Sequence, residues 1–439
     1  MEQRAPEDTT VERNNGNRAG MVGTAEGGRK GRLSTTFASL AYKNFVYLWL
    51  GQVIHSYGLW MEQVAIPLLI LSLTGSATQL GLVILTRTLP QMVLGMFAGV
   101  LADNFNRRLL LMGTKSFVWV ISALFAALVL TGMVEVWHIY VFSFLRGSSM
   151  AFDQPARQAM IPSIVPSHLV INAMSLNSGT MQLMRILGAA SAGFLMGYVG
   201  LAAPFIVATV AYTGAVIFTW LLNPPDHQRT GYQGARAMGS DFMAGLRFVW
   251  GNPDIRGIII IALGYFTFGM SFMQVFAPLF AEQVLDIGKS GFGYMISFLG
   301  LGGIVGALGV ASLNPTKKRA TIMLVMLLLY GILLSVFSAT SYLQSVVIAF
   351  ALVTIIGVVQ AIFFPLINSL LMGLAPDNMR GRVMGVLAMD RVMVASGGAM
   401  AGFMSDLIGV QEAQLAFGAA CIATAMLMFI AYPRLRRID

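Results

Sequence analysis

Apolar residues in this chain come in long runs broken by short polar stretches, from Val46 to Tyr432. A helix needs about 20 such residues to cross roughly 30 Å of hydrocarbon. The pattern predicts twelve spans, over 46–71, 79–102, 109–132, 137–155, 169–197, 202–222, 256–281, 290–312, 320–339, 343–372, 383–405 and 413–432. The spans repeat. Gly58, Gln63, Val64, Pro67 and Leu68 recur as Gly269, Gln274, Val275, Pro278 and Leu279, each 211 positions later. Pro155 and Pro166 return as Pro365 and Pro376 with an offset of 210. A parallel repeat of a polytopic unit places a substrate path between two halves related by an axis along the membrane normal, which is the plan of a transporter.

Composition agrees: 56% hydrophobic and 11% charged residues, with a mean hydropathy of +0.74 over 439 residues, are too apolar for a soluble domain. The expected fold is an all-α polytopic membrane protein of two pseudo-symmetric six-helix bundles. The expected segments are a disordered tail over 1–45, a first bundle over 46–222, a linker over 223–255, a second bundle over 256–432 and a tail over 433–439.

A net charge of +9 would suit a nucleic-acid partner, but its distribution does not. Lys and Arg sit in the N-terminal tail, in alternate loops (Arg107 and Arg108; Arg157; Arg229 and Arg236; Lys317, Lys318 and Arg319; Arg380 and Arg382) and at the C-terminal end. The opposite loops are nearly bare, with Lys289 the exception. The positive-inside rule then puts both termini in the cytoplasm and requires an even number of spans. No basic stripe lies beside aromatic platforms, which argues against nucleic acid. Cys421 is the single cysteine, so no intramolecular disulfide exists. Four histidines without carboxylates at ligand spacing give a metal site no support, and no cofactor is expected. Walker loops, strand-borne GxGxxG and nucleophile elbows have no plausible context, so enzyme activity is not expected.

The linker opens with Pro224-Pro225-Asp226, and within it Ser240 is expected to cap a short helix carrying Phe242, Leu246, Val249 and Trp250 on one face. Such a helix lies on the membrane surface, passively or as a partner site.

After the second span, GVLADNFNRR (Gly99 to Arg108) resembles the cytoplasmic loop signature of the major facilitator superfamily. Gly99, Asp103, Arg107 and Arg108 agree with it, while Asn106 stands where a turn glycine is expected; Asn adopts left-handed angles more readily than most residues. The resemblance implies a gating latch, because a carboxylate at a helix end can face a neighbouring helix N-terminus and flanking guanidinium groups. The alternative is that these charges only fix topology. At the repeat offset, Asn314 replaces Asp103 while Lys318 and Arg319 keep the basic pair. AFDQPARQAMIPSIVP (Ala151 to Pro166) and the segment from Phe45 to Ala77 are similar to the bacterial exporter branch that includes the enterobactin exporter and macrolide-efflux proteins. That resemblance implies alternating access and export, with a monomer in the inner membrane as the working unit.

Ionisable side chains are expensive inside a bilayer, so each is a functional candidate. Glu62, Arg87, Arg146 and Arg185 are expected inside spans one, two, four and five, with Asp390 and Arg391 in span eleven. Glu62 is expected to be the one deep carboxylate of the first half. Burial and a neighbouring cation pull its proton affinity in opposite directions, the balance that proton coupling requires; a static salt bridge is the alternative. Arg146 resembles the superfamily's span-four arginine linked to proton coupling, although Met150 replaces the expected glycine. His55, two turns from Glu62, could relay protons or bond a neighbouring helix. Gln63, Gln274, Arg87, Arg185, Asp390 and Arg391 are the substrate-cavity candidates. Asp390 and Arg391 point about 100° apart and so need separate partners. The excess of arginines favours neutral or anionic cargo. Small-residue stripes over Gly188–Gly193 and Ser396–Gly402 suit close helix packing. The 29 Met and 28 Phe line an adaptable pocket or face lipid.

The expected function is proton-driven export of an amphipathic organic compound, a drug or xenobiotic. A siderophore or other self-made metabolite is the alternative cargo, and a membrane sensor or scaffold the alternative class.

Overall fold

The computed structural model describes residues 37–224, 235–312 and 318–433, and all regular structure among them is helical. The side chains of Gly99 and Asp103 lie outside what is described, as do Asn314 and residues 1–36. The chain runs through α1 (Lys43–Thr74), α2 (Ala77–Asn104), α3 (Arg107–Leu130), α4 (Val136–Ile164), α5 (Val170–Tyr198) and α6 (Ala203–Trp220). A surface helix α7 (Ala235–Gly251) leads to α8 (Pro253–Val284), α9 (Gly288–Ser312), α10 (Arg319–Ser341), α11 (Val346–Leu374), α12 (Arg380–Ile408) and α13 (Val410–Ala431). Nine helical runs among the described residues are long and apolar enough to cross a membrane. The long helices α2, α4 and α5 carry Arg87, Arg146, Asp153, Arg157 and Arg185 among their apolar residues.

Local chemistry sets the helix ends. Asn106 has φ −62° and is not left-handed: its side chain accepts from the backbone N–H of Arg108 and Leu109 and caps α3. The departure from the loop signature is therefore an N-cap, which satisfies donors a glycine would leave to water. Asn252 caps α8 in the same way, with Pro253 in the first turn where its missing N–H costs nothing. Ser240, by contrast, lies inside α7 rather than at its start. Helix α7 packs on the first turns of α12, where a methyl at Gly245 would meet the Arg382 carbonyl at 2.6 Å. Val249 is buried there, whereas Phe242 and Trp250 are exposed.

Helix α4 continues to Ile164, past Pro155, where the expected fourth span ends. Inside a bundle, neighbouring helices re-satisfy the backbone groups that a proline frees. The continuation carries Arg157 into the bundle, where it is buried.

The repeat is visible in the packing. In the first half α1 packs on α5 and α6, α2 on α4, and α3 on α4 and α6; in the second, α8 packs on α12 and α13, α9 on α11, and α10 on α11 and α13. The halves meet along two seams related by the same symmetry, α2 with α12 and α5 with α9. The glycine stripes form these seams. A methyl at Gly193 would lie 2.6 Å from the Gly293 Cα, and one at Gly402 would lie 2.2 Å from the Ala77 carbonyl oxygen. Helix α8 departs from its partner α1: three π-helical stretches, Tyr265–Gly269, Phe272–Phe276 and Phe280–Val284, interrupt it. Such turns concentrate at functional positions, and Gln274 lies in one.

Candidate functional site

Three helices bring partners to Glu62. Its carboxylate, buried in α1, accepts from Ser122 Oγ of α3 (2.8 Å), Arg146 Nε of α4 (2.8 Å) and the Tyr212 hydroxyl of α6 (2.8 Å). Arg146 also donates to the Tyr212 hydroxyl and lies against its ring, while its Nη1 is buried without a hydrogen-bond partner. The His55 ring packs on Tyr212 at 5.1 Å, and its Nδ1 is likewise buried and unpartnered. Glu62, Arg146 and His55 thus belong to one cluster, as their candidacy requires. Ser122 and Tyr212 complete it, and no spacing in the sequence linked them to Glu62.

A second charged cluster escaped the sequence analysis. Lys115 Nζ of α3 lies 2.9 Å from Asp153 of α4, and Arg157 Nε lies 3.7 Å from the same carboxylate. Lys115 also donates to Gln52 Oε1 (3.4 Å), and Arg157 to Asn177 Oδ1 (3.4 Å). Glu62 is therefore not the sole deep carboxylate of the first half: Asp153 is buried too. Lys115 falls inside the expected third span, so the rule that flagged the arginines applies to it equally. Arg157 was hidden by the expected helix end at Pro155. Asp153 lies seven residues from Arg146, about 10 Å along α4, toward the side of the termini. His55 stands at the level between the two clusters.

Three of the six cavity candidates, Gln63, Arg87 and Gln274, meet at the α1–α2–α8 contact. Arg87 donates to Gln63 Oε1 (2.5 Å) and, across the halves, to Gln274 Oε1 (3.3 Å). The two glutamines are repeat equivalents, so one arginine bridges the pseudo-symmetric pair. Together with Trp60, Ser143, Met273 and Phe292 they line a pocket between the halves. Arg185 reaches from α5 over the Trp60 ring, 5.8 Å from its centroid, and fills the notch left by Gly303 of α9. Arg391 is not with them: it sits beside Gly95 on the other seam, and Asp390 makes no ion pair among the described residues.

Charges at the ends of α2 hold other contacts. Arg107 donates to the Ala159 carbonyl of α4 (2.7 Å) and Arg108 to the Trp220 carbonyl of α6 (2.7 Å), tying the corner to its own half. At the opposite end Asp406 of α12 accepts from Ser76 Oγ (2.7 Å) and from the backbone N–H of Ala77 (2.9 Å) and Thr78 (2.8 Å). A carboxylate from one half thereby caps a helix of the other, on the face away from the termini, where charge and helix dipole reinforce each other.

The sequence is matched by the transmembrane secretion effector family over residues 34–439. The chain belongs to this family of major facilitator transporters. Among its relatives, the multidrug efflux pump Tap of Mycolicibacterium fortuitum is 26% identical over 86% of this chain and 92% of its own length. The staphyloferrin A transporter of Staphylococcus aureus is 23% identical over 86% of this chain and 94% of its own. A crystal structure of a nucleoside transporter superposes with a TM-score of 0.72 at 12% identity, covering 89% of this chain and all (100%) of the other. That likeness establishes the major facilitator fold. The family's members are membrane transporters rather than enzymes, and this one is a multi-pass membrane protein handling a small organic substrate.

Proposed function

We propose that this protein is a proton-coupled exporter of amphipathic organic compounds, working by alternating access with Glu62 as its proton carrier. The observation that carries this is the Glu62 carboxylate held by Ser122, Arg146 and Tyr212 from three different helices in the membrane interior. A proton on Glu62 removes the charge that holds Arg146, so protonation and the packing of α1, α3, α4 and α6 are linked, and linkage is mutual. His55, and beyond it the Lys115–Asp153 pair, mark the route between Glu62 and the side of the termini. In this reading all twelve long helices span the membrane, α7 belongs to a linker over 223–255, both termini are cytoplasmic and the monomer is the working unit. Arg107 and Arg108 anchor the gating corner on that side. Export follows from the efflux pump among the relatives, and the siderophore transporter among them supports a self-made metabolite as the second reading.

The test uses inside-out vesicles acidified inside, with a pH-reporting dye and a panel of macrolides, catecholates, dyes and lipophilic cations. Native protein is expected to release protons when its cargo is added, and Glu62→Gln is not. Equal release by both proteins would remove Glu62 from the mechanism.

A further inference from the structure

The pocket between the halves has an apolar lining, and the few polar groups set in it are mostly hydrogen-bond donors. Arg87 consumes the side-chain oxygens of both Gln63 and Gln274, leaving their amide N–H groups as the free ends. Trp60 Nε1 and Ser143 Oγ are buried without a hydrogen-bond partner, and both residues line the pocket. Arg185 lies outside this lining, but its guanidinium is 5.8 Å from the centroid of the Trp60 ring and its buried Nε is also unpartnered. Trp and Arg can only donate. Of these free groups only the Ser143 hydroxyl can also accept, so donors predominate.

Its charge is unbalanced in the same sense. Glu62 is matched by Arg146 and turned away toward Ser122 and Tyr212. Asp153 is engaged by Lys115 and Arg157, and Asp390, which makes no ion pair among the described residues, lies outside the pocket lining. None of these carboxylates lines the pocket, and Arg87 and Arg185 have no acidic partner among the described residues. Two guanidinium groups near the middle of a membrane protein, both reaching across the seam, call for a counter-charge, and paired N–H donors of arginine fit a carboxylate in geometry as well as charge.

We propose that the cargo carries a carboxylate, which Arg87 and Arg185 hold, and an aromatic or apolar body that packs on Trp60, Met273 and Phe292. This substrate class rests on the transporter function proposed above. It sets the pocket against lipophilic cations, which would meet two like charges and no carboxylate.

Three dansyl probes share one fluorophore and differ at the end group: dansylglycine (carboxylate), dansylglycinamide (neutral) and dansylcadaverine (cation). Their fluorescence is titrated with full-length protein in nanodiscs, without a pH gradient. Dansylglycine is expected to bind at least about tenfold more tightly than the other two, the scale of one lost charge-assisted contact. Arg185→Gln and Arg87→Gln are each expected to remove that preference, and Arg185→Lys to restore part of it, in variants that elute as the native protein does. Equal or tighter binding of the amide or the cation, a preference that survives both Gln variants, or no binding of any probe would overturn the proposal. Because no gradient is used, the result is independent of proton coupling: carboxylate preference can hold where the Glu62→Gln vesicle test fails, and the reverse.

Discussion

Single residues in this protein are held mostly by partners from other helices. Lys115 is the clearest case, since its charge has Asp153 at 2.9 Å and is otherwise surrounded by buried side chains. Removing one partner of a buried pair costs about 3–5 kcal/mol because the other is left uncompensated. Lys115→Ala is expected to lower the thermal unfolding midpoint markedly, and Lys115→Met combined with Asp153→Asn to recover much of the loss. A single variant as stable as the native protein would mean that Arg157 suffices for Asp153. The ionisable types at these positions are legible in the sequence, but their pairing is not. Residues 38 apart in the chain, such as Lys115 and Asp153, meet only because α3 packs on α4.

At the scale of helices, the seams decide what can move. Gly402 lies against backbone, so a larger side chain cannot be accommodated by a rotamer change: Gly402→Leu must push α12 off α2. Transport is expected to be lost while the protein still inserts. Gly381→Ala, with nothing within 4 Å of the added carbon, is the control and should transport normally. Activity of Gly402→Leu at native expression would show that the seam need not close. The Asp406 cap offers a gentler perturbation. Asp406→Asn removes the charge that complements the α2 dipole, a loss of about 1 kcal/mol or roughly fivefold in an equilibrium. Leu80, which lines the pocket behind this cap, reports on it. With Cys421 replaced, Leu80→Cys should react several-fold faster with an impermeant maleimide from that face in the Asp406→Asn background. Unchanged labelling would mean the cap does not hold the face shut. The glycine stripes announced close packing in advance, but the choice of partner helices came with the fold. Asp406 escaped notice because it sits at a span end, where a carboxylate is unremarkable in sequence.

The whole molecule is symmetric in its packing and asymmetric in its chemistry. At the repeat offset of 211, Glu62, Arg87, Lys115 and Ser122 become Met273, Phe298, Met326 and Leu333; at the offset of 210 shared by Pro155 and Pro166, and by Gly147 and Gly357, Arg146, Arg185 and Tyr212 become Ile356, Ala395 and Ile422. In place of the charged cluster, the second half has the edge-on and tilted rings of Tyr330 and Phe363 packed on Tyr265. One half thus carries nearly all the interior charge, and the other offers an aromatic surface for it to work against. Met273→Glu is therefore not expected to rescue proton-coupled transport in Glu62→Met, because the new carboxylate has no Arg146 or Tyr212 facing it. Rescue in the vesicle assay would show that position in the pocket, rather than the partner set, confers coupling.

Span length, the repeat, and the presence of charge inside apolar runs are one-dimensional properties, and the sequence by itself determined them. Membrane insertion depends on local hydropathy, and a duplicated helical unit repeats its hydropathy. The motif around Asp103 and Arg108 carried the family as well. What the tertiary structure decided is which charges cancel. Glu62 goes to Arg146 and Tyr212, Asp153 to Lys115 and Arg157, and Asp406 to the start of α2. Ion pairing acts over a few ångströms while these partners lie tens to hundreds of residues apart, so helix packing alone assigns them. The same assignment leaves Arg87 and Arg185 without a carboxylate, facing the space between the halves.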